Sequence, residues 1–216
     1  MKQKKYILFD LDGTITDSGI GITKSVLYAL DFFGVPVGSL DELRPFIGPP
    51  LKDSFMELYG FSEEKAAQAI AKYREYFSVT GLYENELYPG IPELLKELKA
   101  AGKKVLLSTS KAEIFTNRII KHFGIAQFFD FVAGSELDGR RTDKAEIIAH
   151  ALSGAKIADP SLAVMIGDRK HDIIGAKKHG MDSIGVLYGY GSLEELKAAG
   201  ADETAATVAE LSDLLL

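Results

Sequence analysis

Apolar positions along this chain fall into two patterns. Five short runs are apolar on successive residues: Tyr6–Phe9, Val105–Leu107, Phe131–Ala133, Ala163–Ile166 and Ile184–Leu187. A strand with one wet face alternates polar and apolar, so unbroken runs predict strands covered on both faces, as in a parallel sheet. Between the runs, apolar residues recur at helical spacing. Ile91, Leu94, Leu95 and Leu98 precede Gly102, Phe115, Ile119, Ile120 and Phe123 precede Gly124, and Ile173, Ile174 and Ala176 precede Gly180. Glycine just beyond the last periodic residue is the expected helix stop, because it takes a left-handed backbone without steric cost. Strands alternating with helices predict an α/β fold with a doubly wound, parallel, Rossmann-like sheet.

One stretch departs from this rhythm. Residues 17–82 contain helical patterns but no convincing strand. Ile22, Val26, Leu30 and Phe33 line one face before Gly34 and Pro36, a second pattern runs from Leu51 to Tyr59, and a third from an N-cap at Ser62 to about Val79. This is too much helix for one crossover between the first two strands. The division expected is a core of residues 1–16 and 83–216 with an inserted all-helical cap of residues 17–82. An extended helical crossover with no role of its own is the alternative.

Composition narrows the class. At 216 residues, 46% hydrophobic and 26% charged, the chain has the balance of an ordinary globular protein. Its net charge of −6, with Lys and Arg scattered, lacks the electrostatic footprint of a nucleic-acid binder. The absence of cysteine excludes disulfides, thiol catalysis and Cys-ligated zinc. The basic start, Met1 to Lys5, is followed only by Tyr6–Phe9 before Asp10, too short an apolar stretch for a signal or membrane segment. A cytoplasmic protein with no membrane partner, acting as a monomer or small homo-oligomer, is the expectation.

The chemistry gathers at strand ends. The first strand runs into Asp10-Leu11-Asp12-Gly13-Thr14, which puts two carboxylates on one face of its C-terminal end. In open α/β sheets that edge binds ligands. The fourth strand runs into Gly167-Asp168-Arg169-Lys170-His171-Asp172, with two acids one helical turn apart. Each piece has a plainer reading: Asp12-Gly13 as a turn with Asp10 a solvated strand end, Asp168 as an N-cap, and Asp172 as an acid at a helix N-terminus. None of these explains why two strand ends both deliver acids to one edge. Together they make the oxygen-rich site that Mg²⁺ prefers. His150 and His171, lone histidines on helical patterns, are left out of it. The second strand ends in Ser108-Thr109-Ser110-Lys111, where hydroxyls and N–H groups suit phosphate or serve as ordinary caps. Lys144, which starts a helix after Asp138-Gly139-Arg140-Arg141-Thr142-Asp143, is the candidate cation facing the acids, or else a solvated lysine.

Asp10-x-Asp12-Gly13-Thr14, the hydroxyl at the end of the second strand, the lysine before a later helix and Gly167-Asp168-x-x-x-Asp172 resemble the four motifs of the haloacid-dehalogenase-like hydrolases. The likeness extends over essentially the whole chain, and Leu87-Tyr88-Pro89-Gly90-Ile91 resembles the phosphoglycolate-phosphatase-like branch. The resemblance implies roles. Asp10 matches the nucleophile that becomes an aspartyl-phosphate, and Asp12 matches the acid/base. Thr109 matches the phosphate-binding hydroxyl, with the Ser110 N–H beside it and Ser108 as the fallback in a shifted register. Lys144 matches the neutralising cation, with Arg141 its rival because the pattern lacks a Lys-Pro-x-Pro sequence here. Asp168 matches a direct Mg²⁺ ligand alongside the Asp10 carboxylate and the Asp12 backbone carbonyl, and Asp172 a second acid acting through water. An acid at position 12 also argues against dehalogenation, since a departing halide needs no proton.

The resulting expectation is a Mg²⁺-dependent phosphatase of a small phosphorylated metabolite, phosphoglycolate-phosphatase-like. A 5'-nucleotidase, a pyrophosphatase and a phosphosugar mutase of the same fold are the alternatives, and a receiver-type signalling domain the reading from another class. Phe46-Ile47-Gly48-Pro49-Pro50 and the cations Arg44, Lys52 and Arg74 are the specificity candidates in the cap.

Overall fold

A computed structural model describes residues 1–216. Its main sheet has six parallel strands: β1 (Tyr6–Phe9), β4 (Lys104–Ala112), β5 (Phe131–Ser135), β6 (Ala163–Gly167), β7 (Asp182–Val186) and β8 (Glu203–Ala205). They lie in the order β5-β4-β1-β6-β7-β8, so β1 is central and the chain switches sides of it between β5 and β6. Two short strands, β2 (Thr16–Asp17) and β3 (Glu86–Leu87), pair where the chain leaves and rejoins this layer.

Both faces of the sheet are covered, which is why the strand sequences do not alternate. Ile7, Leu8 and Phe9 are all fully buried. On one face Leu8, Leu106, Ala133 and Met165 form a cluster with Ile147, Ile148 and Ala151 of α6 (Lys144–Gly154) and Ala176 of α7 (Lys170–Lys178). Helices α4 (Ile91–Ala100) and α5 (Glu113–His122) contribute the buried residues Leu94, Leu95, Leu98, Ile119 and Ile120 that their sequence periodicity marks.

All five expected strands form. The sixth, β8, is a three-residue edge strand, Glu-Thr-Ala, with too little apolar sequence to be read, and pairing Ala205 with Val186 recruits it. It is followed by α9 (Val208–Leu215) and preceded by α8 (Leu193–Ala199). β4 runs on through Thr109, Ser110 and Lys111, past its apolar stretch, with a register irregularity between Ser108 and Ala112.

By its contacts the chain divides into Met1–Thr16 with Leu87–Leu216, and Asp17–Glu86. The second unit is helical: α1 (Gly19–Phe32), a 3-10 segment (Leu40–Phe46), α2 (Leu51–Tyr59), α3 (Glu63–Tyr76) and a π-helical turn (Phe77–Gly81). Its core is aromatic, with Phe55 packed on Phe46 at 4.9 Å and on Phe61 at 5.8 Å between ring centroids. Ser62 caps α3, its hydroxyl accepting from the Lys65 N–H at 3.2 Å. Residues 83–86 fall in this unit because Glu84 is tied to α1, through its carbonyl to the Gly21 N–H and through its carboxylate to Lys24. No helix is long and apolar enough to cross a membrane.

Candidate active site

Strand register builds the site. Leu107 of β4, Phe9 of β1 and Ile166 of β6 lie abreast, so Ser108, Asp10 and Gly167 follow together at the C-terminal edge. The Asp10 N–H donates to the Ile166 carbonyl at 2.9 Å. Asp10, Asp168 and Asp172 are buried, and one carboxylate oxygen from each lies within 4.8 Å of the others. Asp172 reaches this point from the first turn of α7, where its Oδ2 also accepts the Arg169 N–H at 3.2 Å. It therefore serves the helix end as well as the acidic cluster. A side chain at position 167 would collide with it, since a Cβ there would sit 2.1 Å from the Asp172 Cγ.

Lys144 enters from the start of α6, whose N-cap, Asp143, accepts from the Ala145 N–H at 2.9 Å. The ammonium is 5% exposed and lies 2.9 Å from Asp10 Oδ1 and 2.7 Å from Asp172 Oδ1. It donates to the Ser108 carbonyl at 3.0 Å, so its three N–H groups face three acceptors. Burial alone would lower its pKa, but the two carboxylates outweigh that and hold it above the ordinary lysine value. The acids feel the reverse. Burial, then the charges of Asp172 and Asp10, push Asp168 well above the usual carboxylate range. Asp172 is pushed up to about 6 by burial and Asp10, against the opposing pull of Lys144.

The Asp12 carboxylate stands apart from the cluster. Its Oδ2 pairs with Lys111 at 2.9 Å, and its Oδ1 is buried without a hydrogen-bond partner. The turn that carries it folds back through Ile15 N–H and Thr16 N–H on the Leu11 carbonyl, and through Gly13 N–H on the Thr16 carbonyl. Gly13 has φ of 82°, and a Cβ on it would meet Asp168 Oδ2 at 2.1 Å, so no other residue fits this position.

Thr109 and Ser110 lie on the last residues of β4, at the edge next to Asp10. Thr109 is buried and its Oγ1 accepts the Lys111 N–H at 3.3 Å. The Ser108 hydroxyl is buried and unpartnered. Arg141 does not reach the acids: its guanidinium donates to the Gly134 carbonyl at 3.0 Å and lies 3.3 Å from Glu136. His150 packs on the Phe131 ring. In the helical unit, Arg44 and Lys52 form exposed ion pairs with Asp41 and Glu63, Arg74 is half-buried, and Phe46 and Ile47 belong to the core.

Sequence reasoning overlooked two features. Lys111 follows the hydroxyl pair at a strand end and brings a second ammonium to the acids, a position legible only as part of a polar turn. The loop after β7, Tyr188-Gly189-Tyr190-Gly191, supplies the Tyr190 N–H to Asp168 Oδ2 at 2.7 Å, while Asp168 Oδ1 stays buried and unpartnered. The Tyr188 hydroxyl donates to the Thr14 carbonyl at 3.1 Å. Burial, reinforced by Tyr88 and Asp168, raises that phenol's pKa and keeps it a donor. Glycines between two tyrosines read in sequence as a turn and nothing more.

The edge thus collects four buried carboxylates against two ammonium groups. A divalent cation would close that difference of two charges. All the available donors are hard oxygens, and Asp168 Oδ1 in the cluster has no hydrogen-bond partner, which fits Mg²⁺ better than a metal needing nitrogen or sulfur.

Residues 7–186 match the haloacid dehalogenase-like hydrolase family. A 5'-nucleotidase from Pseudomonas aeruginosa is 47% identical over 97% of this chain and 94% of that protein. Tyrosine-protein kinase PtkA from Mycobacterium tuberculosis is 40% identical over 97% of this chain and 72% of that protein. Among solved structures, a predicted phosphatase from Clostridium acetobutylicum superimposes with a TM-score of 0.95 at 49% identity, covering 98% of this chain and 97% of that one.

Proposed function

The chain belongs to the haloacid dehalogenase-like hydrolases, and from that premise we propose that it is a Mg²⁺-dependent phosphatase acting on a small phosphorylated metabolite. The observation that carries this reading is the pairing of Asp10 with a buried ammonium on one side and two further acids on the other. A carboxylate so held is aimed and largely free of water, which is what a nucleophile toward phosphorus needs.

In this reading an Asp10 oxygen attacks phosphorus, and the bond from phosphorus to the ester oxygen breaks. Asp12 gives its proton to the departing oxygen, leaving an aspartyl-phosphate on Asp10. Asp12 then takes a proton from water, which attacks phosphorus, releasing inorganic phosphate and restoring the Asp10 carboxylate. Lys144 offsets charge on Asp10 and the phosphoryl group, while the Thr109 hydroxyl and the Ser110 N–H hold phosphoryl oxygens. Mg²⁺ would be held by the carboxylates of Asp10 and Asp168 and the Asp12 backbone carbonyl, with Asp172 acting through water. Bound there, it supplies neutralisation of phosphoryl charge.

Among substrates, a nucleoside monophosphate is favoured over phosphoglycolate, pyrophosphate or a sugar phosphate by the nucleotidase relative's identity over nearly the full length of both chains. Phosphoryl transfer to tyrosine is a second reading, favoured by the kinase relative. The test is phosphate release from a panel of these compounds with Mg²⁺ and with EDTA, beside labelling of tyrosine by ATP. EDTA-sensitive release ranked by kcat/KM is the expected result. Asp10→Asn should abolish it, and residual turnover above about a tenth of wild type would refute the nucleophile assignment.

A further inference from the structure

The loop after β7 presses on two parts of the site at once. Tyr190 N–H fixes one oxygen of Asp168, and 174 positions earlier in the sequence the Thr14 carbonyl receives the Tyr188 hydroxyl. Between those two hydrogen bonds the backbones touch. A Cβ on Gly189 would sit 2.3 Å from the Gly13 carbonyl oxygen and 2.4 Å from Asp168 Cβ, and one on Gly191 would sit 1.8 Å from the Asp168 carbonyl oxygen. Neither glycine has a left-handed backbone, so contact and not conformation excludes a side chain there. The Tyr190 ring comes within 2.8 Å of where a Cβ on Gly13 would lie. Behind the loop, Tyr88 meets the Tyr188 ring edge-on at 4.8 Å, and the Tyr88 N–H donates to the Ile15 carbonyl at 3.1 Å.

We propose that Tyr188–Gly191 is a positioning element that locks the Asp168 carboxylate and the Asp12–Thr14 turn into one geometry, with the Tyr188 hydroxyl as its anchor. The loop sets how Asp168 is turned, because Tyr190 N–H ties down Oδ2 while Oδ1 has no hydrogen-bond partner. It also clamps the turn whose backbone would supply the Asp12 carbonyl. A carboxylate free to rotate, or a turn free to slide, would lose the fixed separation between those donors, and partners behind metal ligands matter for this reason. Tyr188 touches no reacting atom, and its effect passes through Thr14 and the loop to Asp168.

This inference rests on the metal-dependent reading above, so its test measures metal binding apart from turnover. Mn²⁺ is titrated calorimetrically into the full chain without substrate, for wild type, Tyr188→Phe and Gly189→Ala, with Tm followed in parallel. Tyr188→Phe keeps the ring on Tyr88 and should hold Tm to within about 2 °C, yet weaken Mn²⁺ binding about tenfold, as loss of partners behind metal ligands does. Its kcat should fall while KM stays near wild type. Gly189→Ala, if it folds, should weaken Mn²⁺ binding further. A Tyr188→Phe protein whose Kd for Mn²⁺ stays within about twofold of wild type overturns the inference, whatever happens to Tm. Wild-type protein that binds no Mn²⁺ overturns the metal reading and this inference with it, whereas wild-type binding with an unchanged variant removes this inference alone.

Discussion

Replacing Lys144 by methionine keeps most of the side chain's volume and removes one charge from a place where water cannot substitute for it. The ammonium is 5% exposed and holds three acceptors: Asp10 Oδ1, Asp172 Oδ1 and the Ser108 carbonyl. Without it, Asp10 and Asp172 face each other and Asp168 with no cation beside them, and Asp172 keeps only the Arg169 N–H. Removing one partner of a buried ion pair costs about 3–5 kcal/mol. At about 2–4 °C per kcal/mol for a chain of this size, Tm should fall by roughly 6–20 °C in EDTA. The loss should depend on pH, and its sign follows from the acids. In the folded protein Asp172 is already pushed up to about 6, above its unfolded value, and burial does the same to Asp168. Folding that raises a carboxyl pKa takes up protons, so the folded variant gains relative stability as pH falls through that range. The deficit against wild type should therefore be larger at about pH 8 than at about pH 5. Lys144 itself, with its pKa raised, stays charged across this window and titrates only in strong alkali. Adding Asp172→Asn to Lys144→Met should restore part of the loss, giving a coupling of about 0.5–3 kcal/mol between contacting residues. The measurement is thermal unfolding at the two pH values in EDTA for the single and double variants. A drop below about 3 °C, or one equal at both values, would refute the reasoning.

Asp130 carries a stabilising role away from the acidic edge. Burial opposes its ionisation, but hydrogen bonds from Lys99, Lys104 and the Val105 N–H outweigh that and hold its pKa below the usual carboxylate value. Its contribution is thus present above the unfolded carboxylate pKa and lost as pH falls through the folded one. Asp130→Asn should cost about 1 kcal/mol at neutral pH and flatten the acid limb of a Tm–pH profile, and an unchanged limb would count against it. Phe55→Ala removes a fully buried ring at the centre of the helical unit's aromatic core. Its cost should be about 3–5 kcal/mol, read by urea unfolding, and a loss below about 1 kcal/mol would mean that the core collapses around the gap.

Much of the core fold was legible because burial on both faces writes itself into sequence as continuous apolar runs, and because helices end at glycines. Leu51–Tyr59 reads as a helix and is one, and Ser62 reads as an N-cap and accepts the Lys65 N–H. What could not be read depends on partners distant in sequence. β8 is a strand only because Val186 offers it an edge. Residues 83–86 join the helical unit through contacts such as those of Glu84 with Gly21, Lys24 and Tyr76. The same holds at the acidic edge. Asp10, Asp168 and Asp172 announce themselves as acids after apolar runs, since position in a strand fixes where they emerge. Lys144 beside them, rather than Arg141, follows from where α6 starts and from Arg141 being occupied by Gly134 and Glu136. Lys111 on Asp12 and the Tyr190 N–H on Asp168 are contacts between loops, and no periodicity encodes a loop contact.

Charge accounting separates this edge from the ionic contacts elsewhere in the molecule. Lys4 with Asp182 and Arg169 with Glu195 are one-to-one pairs, and Asp130 has two lysines to itself. Each lowers the free energy of the folded chain or leaves it near neutral, and none needs a ligand to explain it. At the C-terminal edge of β1 and β6 the balance runs the other way, with four buried acids facing two ammonium groups and Asp168 pushed toward its neutral form. Folding would avoid such an excess if stability were its only demand, since any of these acids replaced by an amide would relieve the repulsion. An excess of buried negative charge with a free carboxylate oxygen is what a cation site costs before its cation arrives. It is therefore the imbalance, more than the individual residues, that singles out this edge as the candidate site.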